Sequence, residues 1–247
     1  MKPEYPRSNQ QFADLNTHNF LTIDMIVKPP VLKDTGNLAI QADFTKKADE
    51  VSSKLNFDED QAILKKPLLQ CWKDKTWEYQ TAKYSYITAM REDKIPVEVI
   101  TANILVKTKI DDEDYILLQR RSENSGLYPG YYSIFGGSFS PREDNGDIYL
   151  TAVRELYEEI EGIKTSKGSL LKSIQNAKIL LTQETDNGNL QINFLGVGIE
   201  IDSDTKGFED EGDLIKIKKD DIESFLTNNK EKITPLAIAA LEVSLHS

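Results

Sequence analysis

Six residues, RELYEE at Arg154 to Glu159, constrain this chain more than any other stretch. Read as a helix, they bring Glu155, Glu158 and Glu159 onto one side, because positions i, i+3 and i+4 share a face. Like charges at this spacing destabilise an isolated helix by a few tenths of a kcal/mol per pair, so the arrangement makes most sense around a cation. Mg²⁺ suits carboxylate oxygens and keeps water and phosphate as its other ligands. The competing reading is a solvated acidic helix face, which for these six residues alone is the commoner outcome in a chain with 41 Asp and Glu. Their surroundings favour the cation. Upstream, Gly136 and Gly137 end a short apolar run and open a loop that contains Glu143, and downstream Gly162 stands where a glycine terminates a helix.

Together these residues resemble the signature of the Nudix hydrolase family, G-x(5)-E-x(7)-R-E-U-x-E-E-x-G-U, with U a bulky aliphatic residue. Gly137 is followed by five residues and Glu143, Arg154 and Glu155 precede Leu156, and Glu158 and Glu159 precede Gly162 and Ile163. Two spacings depart from the pattern: ten residues rather than seven separate Glu143 from Arg154, and two rather than one separate Glu159 from Gly162. Neither falls between Glu155 and Glu159. The resemblance covers residues 136 to 163 by motif and roughly 98 to 245 by strand order.

What the resemblance implies is an α+β fold, a Nudix-like α/β/α sandwich around a mixed sheet, with Glu155, Glu158 and Glu159 as ligands of Mg²⁺ (or Mn²⁺). It implies that Arg154 orients these carboxylates and that Glu158 or Glu159 is the first candidate for the general base. Members that take the base from a later loop direct attention to Glu209 and Glu211 in GFEDEGDL, where a solvated charged loop is the alternative; Glu184 is a weaker candidate. The implied activity is metal-dependent hydrolysis of the diphosphate linkage in a nucleoside diphosphate derivative such as a nucleotide sugar, ADP-ribose or a dinucleotide. Metal ions polarise phosphoryl oxygens and lower the pKa of bound water.

The remaining sequence surrounds the signature with alternating or continuous apolar runs. VEVITANILVKT and DYILLQRR read as strands joined by a turn at DDED, Asp111 to Asp114, and YYSIF is a third. A helix is expected over Ile148 to Glu161. AKILLTQET and NLQINFLGVGIEI flank Asp186, Asn187 and Gly188, a hairpin signal. LIKI at Leu214 to Ile217 is a further strand, and helices are expected over Asp220 to Leu226 and from Pro235 to about Leu245. This order places the hydrolase domain at residues 95–247. Residues 1–94 carry one short strand, LTIDMIV at Leu21 to Val27, and helical spacing over Thr45 to Leu55, Asp58 to Trp72 and Thr81 to Met90. A mostly helical N-terminal extension is expected there, suited to a substrate lid or a dimer contact, with the homodimer preferred.

A formal charge of −11 argues against nucleic acid as a partner and requires that any phosphate meet a metal or a local cluster of Lys and Arg. Arg120 and Arg121 end a strand just before the signature. Strand alternation sends them to opposite faces, so one of them is expected to reach a substrate phosphate beside Gly137, unless both serve surface ion pairs. Tyr128, Tyr131 and Tyr132 suit stacking on a base or plain packing. Cys71 is the only cysteine, so no intrachain disulfide can form. No leader-like segment and no run of ~20 apolar residues is present; a cytoplasmic protein without a membrane partner is expected.

Three other functions compete with this one. A ligand sensor of the same fold that binds a nucleotide without turnover need not retain all three glutamates, and no basic DNA-binding helix accompanies the domain. Isoprenoid-type isomerase chemistry needs a reactive cysteine near the site, and Cys71 lies in the N-terminal extension. GGSFSPREDNG lacks the Lys-Ser/Thr ending of a P-loop. His18 and His246 are read as surface or structural residues.

Overall fold

The computed structural model describes residues 20–26, 28–39, 42–54, 58–123, 125, 128–184, 188–208 and 211–245. In chain order these form β1 (Phe20–Ile26), β2 (Val31–Asn37), α1 (Ala42–Ser52), β3 (Asp60–Leu64), α2 (Leu68–Cys71), β4 (Thr76–Lys83), α3 (Tyr84–Glu92), β5 (Val99–Ile110), β6 (Glu113–Arg121), β7 (Tyr132–Ser133) and β8 (Phe135–Ser138). There follow α4 (Ile148–Glu159), α5 (Lys167–Gln175), β9 (Lys178–Glu184), β10 (Asn189–Gly198), β11 (Gly212–Lys218), α6 (Ile222–Asn229) and α7 (Pro235–Leu245).

One mixed sheet joins the strands, running β1-β9-β10-β5-β3-β4-β2, with β6 and β8 also on β5, and β7 and β11 on β6. Its axis is β5, whose apolar run is nearly continuous because helices cover both faces. Ile100, Ala102, Ile104 and Val106 point into the core shared with Ala152, Val153 and Leu156 of α4. Leu105 points the other way, into the core shared with Ala237, Ala240 and Leu241 of α7. The result is the expected α+β sandwich of helices about a mixed sheet. The β5–β6 turn contains two positive-φ residues, Asp111 (51°) and Asp112 (65°), the backbone that a two-residue hairpin needs to match strand twist.

The expectation of a mostly helical extension over residues 1–94 is not met. Residues 20–94 contribute four strands and three helices, and pairing crosses the expected boundary: β1 runs antiparallel to β9, and Ile63 of β3 pairs with Val99 of β5. The stretch Asp58 to Trp72 is not one helix but β3 followed by the four-residue α2. Ala62, Ile63 and Leu64 are all buried, and an apolar run buried on both sides has no period that separates strand from helix; Pro67 then stands at the start of α2. Thr81 to Lys83 belong to β4, and the helix begins at Tyr84. Leu55 lies outside the described residues.

In the later part, α5 was not foreseen; Ser166 caps it by accepting the Ser169 N–H. The expected helix at Asp220 opens as a 3-10 turn, Lys219–Asp221, and continues through Asn229. β9 and β10 pair from Glu184↔Asn189 outward. Of the expected turn, Asp186 and Asn187 lie outside the described residues. Gly188 has φ +65°, and a Cβ there would fall 1.7 Å from the Val97 carbonyl oxygen. Among the described residues no helix is long and apolar enough to cross a membrane.

Candidate functional site

Asp147 starts α4 by accepting the Tyr149 N–H. The helix then buries Ile148, Ala152, Val153 and Leu156, and Tyr149 rests against Phe194 with ring centroids 5.4 Å apart. This packing fixes its rotation and turns its acidic edge toward β8. The helix ends at Glu159, two residues earlier than expected, because Ile160 is extended and bridges to Gly207. Gly162 (φ +74°) turns the chain beyond it and does not cap the helix.

β8 lies on β5 with Ala102↔Gly137 and Asn103↔Gly136. A Cβ on Gly136 (φ +138°) would sit 2.2 Å from the Ala102 carbonyl oxygen, and one on Gly137 would sit 2.4 Å from Glu155 Oε2. The two glycines therefore do different things. Gly136 allows the backbone to pass close to β5, and its N–H donates to Glu159 Oε2 at 2.8 Å. Gly137 leaves room for the Glu155 carboxylate. Gln119 Nε2 donates to Glu159 Oε1 at 3.3 Å from inside the apolar run of β6; a polar residue within ILLQRR was the overlooked signal.

Burial pushes Glu155 up to about 7, opposed by Arg154 and reinforced by Glu158. Burial also holds Glu159 well above the usual carboxylate range, with Glu155 and Glu211 adding to it and the Gly136 N–H and Arg121 opposing it. Glu158 is more open, its side chain 54% exposed. Two buried acids on one helix face thus lack enough positive charge to ionise freely.

Arg154 is held by a residue the signature reading passed over. Its Nε and Nη2 donate to the Asp144 carboxylate at 2.9 and 3.2 Å, and Nη2 also reaches the Ser138 carbonyl at 3.0 Å. Asp144 is 1% exposed and accepts from the Ser140 N–H and the Thr151 hydroxyl as well. Glu143, the expected loop acid, is instead at the rim: its nearest oxygen is 3.8 Å from Arg154 Nε and its side chain is 49% exposed. Asp144, one residue on from Glu143, is the loop acid placed under the helix. With one edge fixed on Asp144, Arg154 Nη1 reaches Glu155 at 2.8 Å and Glu158 at 2.9 Å.

The other candidates separate clearly. Arg121 is on the face of β6 that carries Gln119, and its charge lowers the Glu159 pKa. Arg120 points the other way, 3.5 Å from Glu123. Glu211 is near enough to raise Glu159; Glu209 lies outside the described residues. Glu184 accepts from Asn189 at the far end of β9 and does not join the cluster. Tyr128 and Tyr131 pack on each other (5.6 Å) and Tyr132 on Phe225 (5.1 Å). Cys71 is buried in the main core, where burial pushes its thiol up to about 11, so it offers no nucleophile. His18 and His246 lie outside the described residues.

Residues before 95 also reach the site. The Ala62 N–H donates to the Phe139 carbonyl, and Tyr79 meets Phe139 edge-on at 5.5 Å, so β3 and β4 brace the glycine loop. Glu59 is raised by burial and then by Glu143, with Arg154 opposing and Glu158 and Asp144 adding to the shift. It adds a further acid beside Glu143 at the rim, and no local motif marks it.

Among the described residues no three His, Cys, Asp or Glu side chains converge as a finished metal cage; Glu155 and Glu158 are turned onto Arg154, and Glu159 onto Gly136. The donor set nonetheless suits a hard divalent cation, since all its side-chain donors are carboxylates and burial leaves two of them short of compensating charge.

No protein-family model matches the chain, and no curated protein does. Solved structures similar to it include a bifunctional NMN adenylyltransferase/ADP ribose pyrophosphatase from Francisella tularensis, crystallised with AMP and a Mn ion, at 17% identity over 65% of this chain with a TM-score of 0.47. The match spans 46% of that protein, less than half its length. A Nudix hydrolase from Alicyclobacillus acidocaldarius is similar at 15% identity over 62% of this chain and 93% of its own, TM-score 0.46. The putative Nudix hydrolase Tm1382 is similar at 14% identity over 81% of this chain and 96% of its own, TM-score 0.48.

Proposed function

We propose that this chain is a Nudix-type hydrolase that uses Mg²⁺ or Mn²⁺ to split the diphosphate linkage of a nucleoside diphosphate derivative. The observation that carries this reading is the pairing of buried Glu155 and Glu159 on one face of α4, against a glycine edge shaped to receive them. A charge pattern so costly in the metal-free protein is explained if a divalent cation and a phosphate complete it.

In this reading Glu155, Glu158 and Glu159 hold the cation, which when bound supplies charge for the phosphoryl oxygens and a water of lowered pKa. Arg154, fixed by Asp144, positions Glu155 and Glu158. Glu158 is the proposed acceptor of the proton from the attacking water, because it is the most exposed of the three; Glu159, held by Gly136 and Gln119, is the alternative. Arg121, on the inner face of β6, supplies positive charge to a substrate phosphate. Residues 95–247 are proposed as the hydrolase unit, with β3 and β4 bracing its glycine loop.

The test is incubation of the full chain with Mg²⁺ or Mn²⁺ and a panel of ADP-ribose, nucleotide sugars and dinucleotides, with product phosphates measured for wild type, Glu155→Gln and Glu158→Gln. Metal-dependent cleavage by wild type and a loss of about 100-fold or more in both variants is expected. Binding of a panel member without cleavage by wild type would favour the nucleotide sensor instead, and a fully active Glu158→Gln would remove that residue from the site.

A further inference from the structure

At the ends of the central strands, between α5 on the α4 side of the sheet and the last turn of α7 on the other side, lies a cleft of about 1260 Å³. Five lysines line it, Lys107, Lys109, Lys164, Lys178 and Lys219, against two carboxylates, Asp114 and Glu200. They come from four separate segments of the sequence and gather on one concavity of a chain whose formal charge is −11. Lys109 lies 3.7 Å from Asp114, and Lys164 pairs with Asp202. Among the described residues Lys107, Lys178 and Lys219 have no ion-pair partner.

The floor between these cations is made of backbone. Lys107 is paired with Gly198 across β5 and β10, and Lys178 with Leu195 across β9 and β10. Lys107 and Lys178 both stand on the face that carries Leu105 and Leu180, flanking β10 from either side. Two strand spacings and a two-residue offset along β5 separate their backbones, roughly 12 Å. Between them β10 bulges at Gly196, whose φ is +73°. A Cβ at Gly196 would lie 4.0 Å from Lys107 Nζ, and one at Gly198 would lie 3.8 Å from the Ser173 hydroxyl oxygen. With no side chain at either glycine, the backbone floor beside the Lys107 ammonium is left open.

We propose that this cleft is a second anion site, separate from the carboxylate site, that binds a polyphosphate group, either inorganic or carried by a nucleotide. Phosphate chemistry fits because convergent, unpaired ammonium groups over a concave backbone floor match a small multivalent anion better than an extended acidic surface. None of the cleft residues belongs to the glutamate site, so this site and the proposed hydrolase activity stand or fall separately.

Tripolyphosphate is titrated calorimetrically into the full chain in excess EDTA at low salt, so that no divalent cation is left to hold phosphate at the glutamate site. Binding to wild type is expected, weakening as salt is raised. It should fall about tenfold or more in Lys107→Gln/Lys178→Gln, and likewise in Lys178→Gln/Lys219→Gln, with thermal unfolding confirming that both variants are folded. Glu155→Gln should bind as wild type does. A nucleoside triphosphate run in parallel separates the sources: tighter binding than tripolyphosphate assigns the ligand to a nucleotide, and equal or weaker binding to inorganic polyphosphate. No binding by wild type at low salt, unchanged binding in both lysine pairs, or loss of binding in Glu155→Gln would each overturn the proposal.

Discussion

Asp144, 1% exposed, grips Arg154 through two hydrogen bonds of 2.9 and 3.2 Å while the neighbouring Glu143 stays outside. The guanidinium is left with one nitrogen directed at Glu155 and Glu158. Desolvation of Arg154 opposes its charge, but Asp144, Glu155 and Glu158 together raise its pKa, so it stays charged throughout the working range. A buried carboxylate several residues outside the glutamate trio thereby sets the geometry of two of its members.

Removing one partner from such a buried pair leaves an uncompensated charge. Asp144→Ala should therefore lower the unfolding free energy by about 3 kcal/mol, measured by urea denaturation, and should depress hydrolysis with it. Glu143→Ala, at the rim, should stay within about 0.5 kcal/mol of wild type. The reverse order of effects would return the loop-acid role to Glu143.

The two glycines of β8 should respond differently to the same added methyl group. In Gly136→Ala the Cβ meets backbone, the Ala102 carbonyl, at a residue with φ +138°, and the melting temperature should drop steeply. In Gly137→Ala it meets only the movable end of Glu155. That variant should stay folded but lose most metal-dependent activity, and equal melting losses in the two would contradict the distinction.

Metal should stabilise the folded protein through the same trio, since a ligand that binds only the native state raises its stability by mass action. In a thermal melt, millimolar Mg²⁺ or Mn²⁺ should raise the midpoint of wild type. Glu155→Gln should show little or no rise. A full metal-dependent rise in that variant would place the cation elsewhere.

The N-terminus of α3 is capped from a distance. Asp58 accepts the Ser85 N–H at 2.8 Å and the Ser85 hydroxyl at 2.7 Å. Burial pushes its pKa up, but the Ser85 hydrogen bonds, with Ser52 and the charge of Lys83, outweigh it and the net direction is down from 3.8. A lowered carboxylate contributes stability that is present above its unfolded value near 3.8 and is lost as pH falls through its folded value. The group is half-buried and still reached by solvent, so the effect should stay under about 1 kcal/mol. Asp58→Ala should lower the melting temperature at pH 7 and narrow to no difference near pH 2; a difference that persists in acid would mean packing, not the charged cap.

Much of the fold from residue 95 onward was legible because its signals are local: alternating or continuous apolar runs bounded by Gly, Asn and Asp, and an acidic helix whose spacing alone puts Glu155, Glu158 and Glu159 on one face. The earlier segment was less so. Ala62 to Leu64, buried on both sides, has no period to read, and Glu59 reaches the rim of the site only because β3 pairs with β5. Gln119 was hidden in an apolar strand for the same reason.

By itself the sequence determined which groups the helix presents and that their like charges crowd one face, since a 3.6-residue period and like-charge repulsion need no partner to act. Tertiary structure decided what surrounds them: Asp144 rather than Glu143 under Arg154, Arg121 rather than Arg120 on the inner face, and a glycine edge against Glu155 and Glu159. Those outcomes depend on side-chain reach and strand register between residues far apart in the chain. Only packing around β5 sets them.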